Sequence, residues 1–224
     1  MPLVLYGPGF IRPGRYEGEA THADLAPTFA ELLGFDAFPE RDGRVLDEAL
    51  LPRDERNGTP RLILTIVWDG AGDNALERWP EAWPNLEAWL PETADFVDAT
   101  VGSTPTITPT AHAAMGTGSW AKVHGLPDAL MRVKGRIVDP WEEASPRYLR
   151  VKTLADLYDA ALGNEPLVGV LARDGWHLGM IGHGPTCPRG TRTSPCSTPS
   201  ATARRTAPTP TTTACPLTSN GARA

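Results

Sequence analysis

The feature that most constrains this chain is an apolar run that ends on a carboxylate, in the stretch LILTIVWDGAGDN at residues 62–74. The run at 62–68 has the length and the β-branched content of a buried strand. Asp69 follows this run directly, in a predicted turn that contains Gly70 and Gly72. Because further strand and helix patterns alternate after it, the sequence predicts an α/β fold with a mostly parallel sheet flanked by helices.

Asp69 has three interpretations. Asp beside Gly is ordinary turn chemistry wherever a strand ends, so the residue could simply cap the turn. A nucleotide-binding loop is a second option, but it needs further glycines, and here GAG runs directly into Asp73 and Asn74. A metal ligand is the third, because ligands gather beyond the carboxyl ends of strands in open α/β sheets. This last option requires partner residues elsewhere in the chain.

Charge is distributed unevenly along the 224 residues. All 27 acidic side chains lie in residues 1–184, so this acidic part disfavours a role in binding nucleic acid polymers. No apolar run approaches the length of a membrane span. The N-terminal MPLVLYGPGF is interrupted by Pro8 and Gly9 before a signal-peptide core could form. A soluble, cytoplasmic protein is therefore the default expectation, and the sequence leaves the oligomeric state open.

Patterning divides the chain into segments. Residues 1–52 contain a strand candidate, LVLY, and a helix candidate, THADLAPTFAELLG, which Thr21 or Asp24 could cap. Residues 53–60 form a polar linker. Within residues 61–184 the pattern predicts strands at 62–68, near 95–101, at 167–171 and at 177–181, and helices near 81–91, at 110–116 and at 151–162.

The last segment, residues 185–224, is rich in Thr, Ser and Pro, holds all three cysteines and contains no acidic or aromatic residue. A disordered low-complexity linker is one interpretation. A frameshift is the other, and we favour it. When the third base of each GC-rich codon is joined to the first two bases of the next, Thr becomes mostly Asp, and Ser and Cys become apolar. In either case we expect this tail to be disordered in the chain as it stands.

A threonine-rich loop follows Asp69 by some forty residues, in GSTPTITPTAHAAMGTGSWAKVHGL at 102–126. A hydroxyl at a helix N-terminus lies where backbone N–H groups and the helix dipole favour an incoming phosphate. A metal ion beside it would lower the pKa of the hydroxyl and make it a nucleophile. For any single threonine, capping of the helix is the alternative interpretation.

Three of these motifs together carry a family resemblance. LTIVWDGAG, TITPTAH and GTGSWAKVHG, in that order and spacing, resemble the start of the alkaline phosphatase superfamily, specifically its type I phosphodiesterase/nucleotide pyrophosphatase branch. That branch has a strand-borne Asp, a Thr nucleophile before a helix, and a TG-x-x-P-x-x-HG signature. The signature residues that the chain keeps are Thr117, Gly118, His124 and Gly125. Ala121 or Lys122 stands where the signature has Pro, and His124 is expected to shape the turn.

The resemblance implies an alkaline-phosphatase-like fold over residues 61–184 and hydrolysis of small phosphate esters with two divalent metal ions, zinc being the expected one. It implies that Asp69 binds one ion, and that Thr108 contacts the same ion and attacks phosphorus. Thr106 takes that role if the loop carries an insertion. His112, one helical turn beyond Thr108, is the candidate for binding the substrate phosphate. A local hydrogen bond is the alternative for His112.

Ligands for a second metal ion are missing from the sequence. In the superfamily they come from an Asp-x-x-x-His, an Asp-His-Gly and a later His, and this chain has no counterpart of them. We therefore expect at most one partial metal site in a truncated member of the family, with a non-catalytic fragment as the alternative. Residues 2–50 resemble the closing strand and the D-x-A-P-T helix of the superfamily, which normally follow the core. His22, at the start of that helix, is not expected to be a ligand.

Overall fold

The chain folds into short helices and small sheets. The computed structural model describes residues 1–142, 145–163, 165–172, 177 and 180–181, and the backbone of 194–197. The helices that begin and end within these residues are α1 (Leu25–Leu32), α2 (Asp73–Arg78), α3 (Pro84–Trp89), α4 (Thr108–Thr117), α5 (Ala121–His124) and α6 (Leu154–Ala161). The strands are β1 (Val4–Leu5), β2 (Gly14–Tyr16), β3 (Ala94–Phe96), β4 (Met131–Val133), β5 (Arg136–Val138), β6 (Gly169–Ala172) and β7 (Ser194–Ser197).

These strands form three small sheets of mixed direction. β3 lies between β1, which is antiparallel to it, and β2, which is parallel to it. β4 and β5 form an antiparallel hairpin, and β6 pairs with β7 in parallel. The α/β class is confirmed. The mostly parallel sheet is not clearly present in the part of the chain that the structure describes.

The predicted strand at 62–68 is wrong, because these residues have no regular secondary structure. The side chains of Leu62, Leu64 and Ile66 are 77%, 72% and 68% exposed. A strand needs a neighbour to satisfy its backbone N–H and C=O groups, and the described residues place no strand beside this run. Asp69 still lies in a turn, followed by Gly70 with φ +78°.

The remaining predicted elements agree in part. The helices predicted at 110–116 and 151–162 are α4 and α6, and β3 and β6 are shorter than the predicted strands. The helix near 81–91 is divided into α3 and flanking 3-10 turns at Pro80–Ala82 and Leu90–Glu92. The strand predicted at 177–181 is wrong at its end, since residues 180 and 181 are helical. The predicted disorder of 185–224 falls outside the described residues except at 194–197, which form β7.

The D-x-A-P-T motif ties α1 to the loop that follows it. The Thr21 backbone N–H and hydroxyl donate to Asp24 Oδ2 at 2.7 and 3.0 Å, and the Arg44 N–H donates to Asp24 Oδ1 at 2.8 Å. The Thr28 hydroxyl donates to the Asp24 carbonyl at 2.6 Å and accepts the Leu46 N–H at 3.0 Å. Asp24 and Thr28 are buried, so these bonds satisfy groups that would otherwise be costly to bury.

The largest apolar cluster joins residues 1–52 to the residues beyond the linker. Its buried members include Leu3, Leu5, Ile11, Leu25, Leu32 and Leu46 from the first part, and Ala94, Phe96, Ala99 and Met115 from the second. Burying a side chain such as Phe96, which is 0% exposed, contributes about 3 kcal/mol. The N-terminal segment is thus packed directly against β3 and α4.

Polar contacts fix the segment at the far end of α4. The Asp42 carboxylate accepts the Trp120 N–H at 2.8 Å and pairs with Lys122 Nζ at 2.9 Å. Gly118 ends α4 with φ +68°, and a Cβ there would lie 3.1 Å from Pro27 Cδ. Only a residue without a side chain allows this conformation and this close approach of α4 to α1 at little cost.

Candidate functional site

The start of α4 lies against the turn that carries Asp69. Ile107 is the N-cap of α4, and Thr108 is its first helical residue. The Thr108 hydroxyl donates to the Asp69 carboxylate, with distances of 3.1 Å to Oδ1 and 3.0 Å to Oδ2. The two residues are 39 positions apart, so folding of the chain creates the pair. The pair lies on the exposed side of the helix start, where a ligand from solvent can reach it.

The first turn of α4 is arranged to favour an anion. Pro109 follows Thr108 and has no N–H to leave unsatisfied, and the Ala111 N–H bonds the Ile107 carbonyl at 3.0 Å. The remaining free N–H groups and the helix dipole give this end a partial positive charge. Thr106 is exposed and its side chain forms no hydrogen bond with the described residues. The structure therefore pairs Asp69 with Thr108 and not with Thr106.

His112 lies one turn further along α4, inside the protein. It is 5% exposed, and its ring packs edge-on against His177, with ring centroids 5.5 Å apart. Burial lowers the pKa of His112 to about 4, although the negative charge of Asp69 acts in the opposite direction. The ring is therefore neutral at pH 7. Its Nδ1 is buried and has no hydrogen-bond partner among the described residues.

A third imidazole, that of His22, comes from the N-terminal segment. It belongs to the 3-10 turn His22–Asp24, which packs against α4. Burial lowers the pKa of His22 to about 4, and the nearby His112 adds to the effect. Its Nδ1 is also buried without a partner among the described residues. From the sequence alone, His22 was not expected to be a ligand, because it falls at the start of the helix motif and not where the superfamily has a metal-binding His before the closing strand. His183, another histidine of the sequence, lies outside the described residues.

The TG-x-x-P-x-x-HG signature has a structural role in this chain. The Thr117 hydroxyl donates to the Ala113 carbonyl at 2.7 Å. His124 is 0% exposed, and its Nδ1 accepts the Leu126 N–H at 3.2 Å, which holds the turn after α5. Gly125 caps α5 with φ +85°. These signature residues hold the end of α4 and the turn after α5 in place. The contact of His124 agrees with the turn-shaping role expected for it.

The donor groups beside Thr108 fit only part of a metal site. Asp69 and Thr108 provide a carboxylate and a hydroxyl within 3.1 Å of each other, which are oxygen donors of the kind that hard cations prefer. The described part of the chain contains no group of three or more His, Cys, Asp or Glu side chains placed to hold an ion. A complete site of the kind that a two-metal hydrolase needs is therefore not assembled by these residues.

Comparison with known proteins decides the family. The sequence profile of type I phosphodiesterase / nucleotide pyrophosphatase matches residues 63–213, about two thirds of the chain. The chain belongs to this family. It is thereby a member of the alkaline phosphatase superfamily, and its mixed α/β architecture is compatible with that fold. No curated protein and no solved structure matches the chain significantly.

Membership of the phosphodiesterase family sets the chemistry at a coarse level. The family consists of hydrolases that act on small phosphate esters and generally depend on metal ions. The match continues past residue 184, where the sequence resemblance was expected to end, to residue 213. Among the helices of the described residues, none is long and apolar enough to cross a membrane.

Proposed function

We propose that this family member hydrolyses phosphate mono- or diesters through Thr108 as the nucleophile. The observation that carries the proposal is the contact of the Thr108 hydroxyl with both oxygens of Asp69, at the N-terminus of α4. A nucleophilic hydroxyl needs a partner that takes its proton and a neighbouring positive potential that holds the phosphate. Asp69 can take the proton of the Thr108 hydroxyl. The N-terminus of α4 supplies the positive potential that holds the phosphate.

The reaction proceeds in two displacements. The Thr108 oxygen forms a bond to phosphorus while the bond from phosphorus to the leaving oxygen breaks. The hydroxyl proton passes to Asp69, and the departing alkoxide takes a proton from solvent. The free N–H groups at the start of α4 stabilise the charge on the phosphoryl oxygens. Water then attacks phosphorus as the bond from phosphorus to the threonine oxygen breaks. Asp69 returns its proton to the threonine oxygen, the attacking water releases a proton to solvent, and the phosphoryl group leaves as free product. His112, buried one turn below, is the candidate that orients the phosphate from the protein side.

The family resemblance extends this proposal to metal ions. Asp69 and Thr108 would together contact one divalent ion, zinc by resemblance. When bound, such an ion would supply positive charge to the hydroxyl and to the phosphate. The described residues do not assemble a complete site for such an ion. Loss of the carboxylate removes the proton acceptor in this scheme, so Asp69→Asn is expected to be inactive.

We further propose that residues 1–52 and 61–184 form one functional unit, with 53–60 as a linker. What supports this is the pairing of β1 and β2 with β3 and the apolar cluster shared by the two parts. Phosphatases of the superfamily place the corresponding segment after the core. In this chain the segment precedes the core, yet it packs against the helix that carries Thr108.

The experiment compares two threonines that are two residues apart. Thr108→Ala is expected to abolish hydrolysis of bis-p-nitrophenyl phosphate and p-nitrophenyl phosphate, since it removes the attacking oxygen. Thr106→Ala is the matched control and should retain most of the activity, because Asp69 accepts from Thr108 and the Thr106 hydroxyl forms no hydrogen bond with the described residues. Mass spectrometry of acid-quenched protein should find the phosphoryl group on Thr108.

Two results would refute parts of the proposal. If Thr106→Ala is inactive and Thr108→Ala active, the nucleophile is wrong and the family assignment stands. If both variants hydrolyse the esters as the parent does, the phospho-threonine mechanism itself is wrong.

A further inference from the structure

A small cavity of about 250 Å³ lies between α1 and the loop that follows this helix, and the chemistry above gives it no role. Its wall includes Pro27 of α1 and, from the loop, Phe35, Phe38, Pro39 and Arg41. We call it the Arg41 cavity. Two aromatic rings and two prolines make much of the wall apolar, and the guanidinium adds a permanent positive charge. Ligand pockets usually measure about 300–1,000 Å³, so this cavity suits a small molecule.

The guanidinium of Arg41 has no counter-ion among the described residues. The side chain is half-buried, and its Nε is buried without a hydrogen-bond partner. Cζ lies over the ring of Phe38, 5.8 Å from the ring centroid. Burial lowers the pKa of Arg41, although the negative charge of Asp42 opposes the shift. Arginine nevertheless stays protonated at pH 7, so the wall holds a partly desolvated charge that an anion would stabilise.

The acids around the cavity are engaged elsewhere or face solvent. Glu31 accepts hydrogen bonds from two arginines of the linker at 2.7 and 3.0 Å, and Asp36 accepts one at 2.9 Å. Asp42 pairs with a lysine of α5 at 2.9 Å, and Glu40 is exposed. An anion for Arg41 must therefore come from outside these residues. Because Glu31, Asp36 and Glu40 also line the cavity, like-charge repulsion favours a singly charged carboxylate over a phosphate dianion.

We propose that the Arg41 cavity binds a small carboxylate that carries an aromatic body. The carboxylate accepts two parallel N–H bonds from the guanidinium, one of them from the buried Nε. The aromatic body packs against the rings of Phe35 and Phe38, which removes apolar surface from water. The site is separate from the proposed hydrolysis, since neither Asp69 nor Thr108 lines the cavity.

The first experiment follows Arg41 directly with benzoate as the probe. In the full chain labelled with ¹⁵N-arginine, the Arg41 Nε–H signal is the one that Arg41→Gln removes. This signal should shift as benzoate is added and should saturate as a single site. Methyl benzoate keeps the ring and lacks the charge, and inorganic phosphate keeps a charge and lacks the ring. Each should need a concentration at least about tenfold higher for the same shift, because each loses one of the two interactions.

The second experiment measures benzoate affinity by calorimetry in three variants. Arg41→Gln should abolish the binding that the cavity contributes. Arg41→Lys keeps the charge but loses the planar fork, so it should weaken binding by about tenfold. Arg15→Gln is the matched control, because Arg15 is also an arginine but is exposed and does not line the cavity, and it should bind benzoate as the parent does. Circular dichroism checks that each variant folds, and the lysine variant keeps the test decisive if the glutamine variant does not.

Three results would overturn the inference. Equal benzoate affinity in the parent and in Arg41→Gln or Arg41→Lys would show that the guanidinium does not hold the carboxylate. Methyl benzoate binding as tightly as benzoate would mean that the cavity does not recognise the charge. Phosphate binding as tightly as benzoate would mean that the aromatic body contributes nothing. None of these measurements depends on ester hydrolysis, so the inference and the proposed function can fail independently.

Discussion

Acid should destabilise this protein through His124, and one substitution isolates the effect. Burial lowers the pKa of His124 from 6.5 to about 4, although the charge of Asp42 opposes the shift. Between pH 6.5 and 4 the unfolded chain binds a proton at this ring that the folded chain does not. Stability contributed by the neutral ring is therefore complete above pH 6.5 and is lost as the pH falls towards 4.

The magnitude follows from the width of that window. A lowering from 6.5 to 4 corresponds to about 3 kcal/mol in all. Of this, about 2 kcal/mol is lost between pH 7 and pH 5. The geometry gives the cause, because His124 Nδ1 accepts the Leu126 N–H at 3.2 Å. A proton on Nδ1 would place two donors against each other inside the protein.

His124→Asn keeps an oxygen near the position of Nδ1 and removes the titration. The variant should be less stable than the parent at pH 7, because the smaller side chain leaves unfilled space. The assay is urea unfolding followed by tryptophan fluorescence at pH 7 and at pH 5. The stability advantage of the parent should shrink by about 2 kcal/mol between the two pH values. His22, His112 and Asp156 also titrate, but they are common to both proteins and cancel in the difference. An advantage that stays constant would refute the reasoning.

Three further outcomes are expected. Gly118→Ala should destabilise the fold by about 1–2 kcal/mol in thermal unfolding, because Gly118 has φ +68° and Pro27 is close. Gly135, with φ +81°, has open space around it, so Gly135→Ala is the control and should destabilise the fold less. Calorimetric titration with Mn²⁺, a metal ion that cysteine thiols bind poorly, should find at most one ion per chain. Asp69→Asn should abolish this binding, and two tightly bound ions would contradict the partial site. Resequencing of the gene should reveal, past the present stop codon in the two-base-shifted frame, an Asp-His-Gly and a further Asp and His. Early stop codons in that frame would disprove the frameshift.

Local signals predicted the parts of the structure that depend on local chemistry. The run of small residues at 110–116 is the helix α4, and both cap candidates, Thr21 and Asp24, take part in the turn before α1. The family resemblance implied that Thr108 and Asp69 contact the same metal ion, and the structure places their side chains within hydrogen-bond distance, although the strand predicted before Asp69 is wrong. Their roles in catalysis stay predictions until the variants are measured.

Long-range contacts account for what the sequence did not reveal. Whether the run at 62–68 forms a strand depends on a neighbour that no property of the run itself encodes. The packing of the turn His22–Asp24 on α4 depends on how the segment before the linker folds, and no spacing rule relates that turn to the helix. Two glycines of the signature, Gly118 and Gly125, adopt positive φ, which the sequence alone did not indicate.

The exposed apolar run at 62–68 has a consequence for handling the protein. LILTIVW contains no charge and no proline, and its β-branched residues favour extended pairing with other copies. Such a run at a surface is a template for edge-to-edge association, which charged residues normally block. The protein should therefore aggregate as its concentration rises and bind chaperones that recognise extended apolar segments. A lysine in place of Ile66, which is 68% exposed, should keep the chain in solution at concentrations at which the parent precipitates.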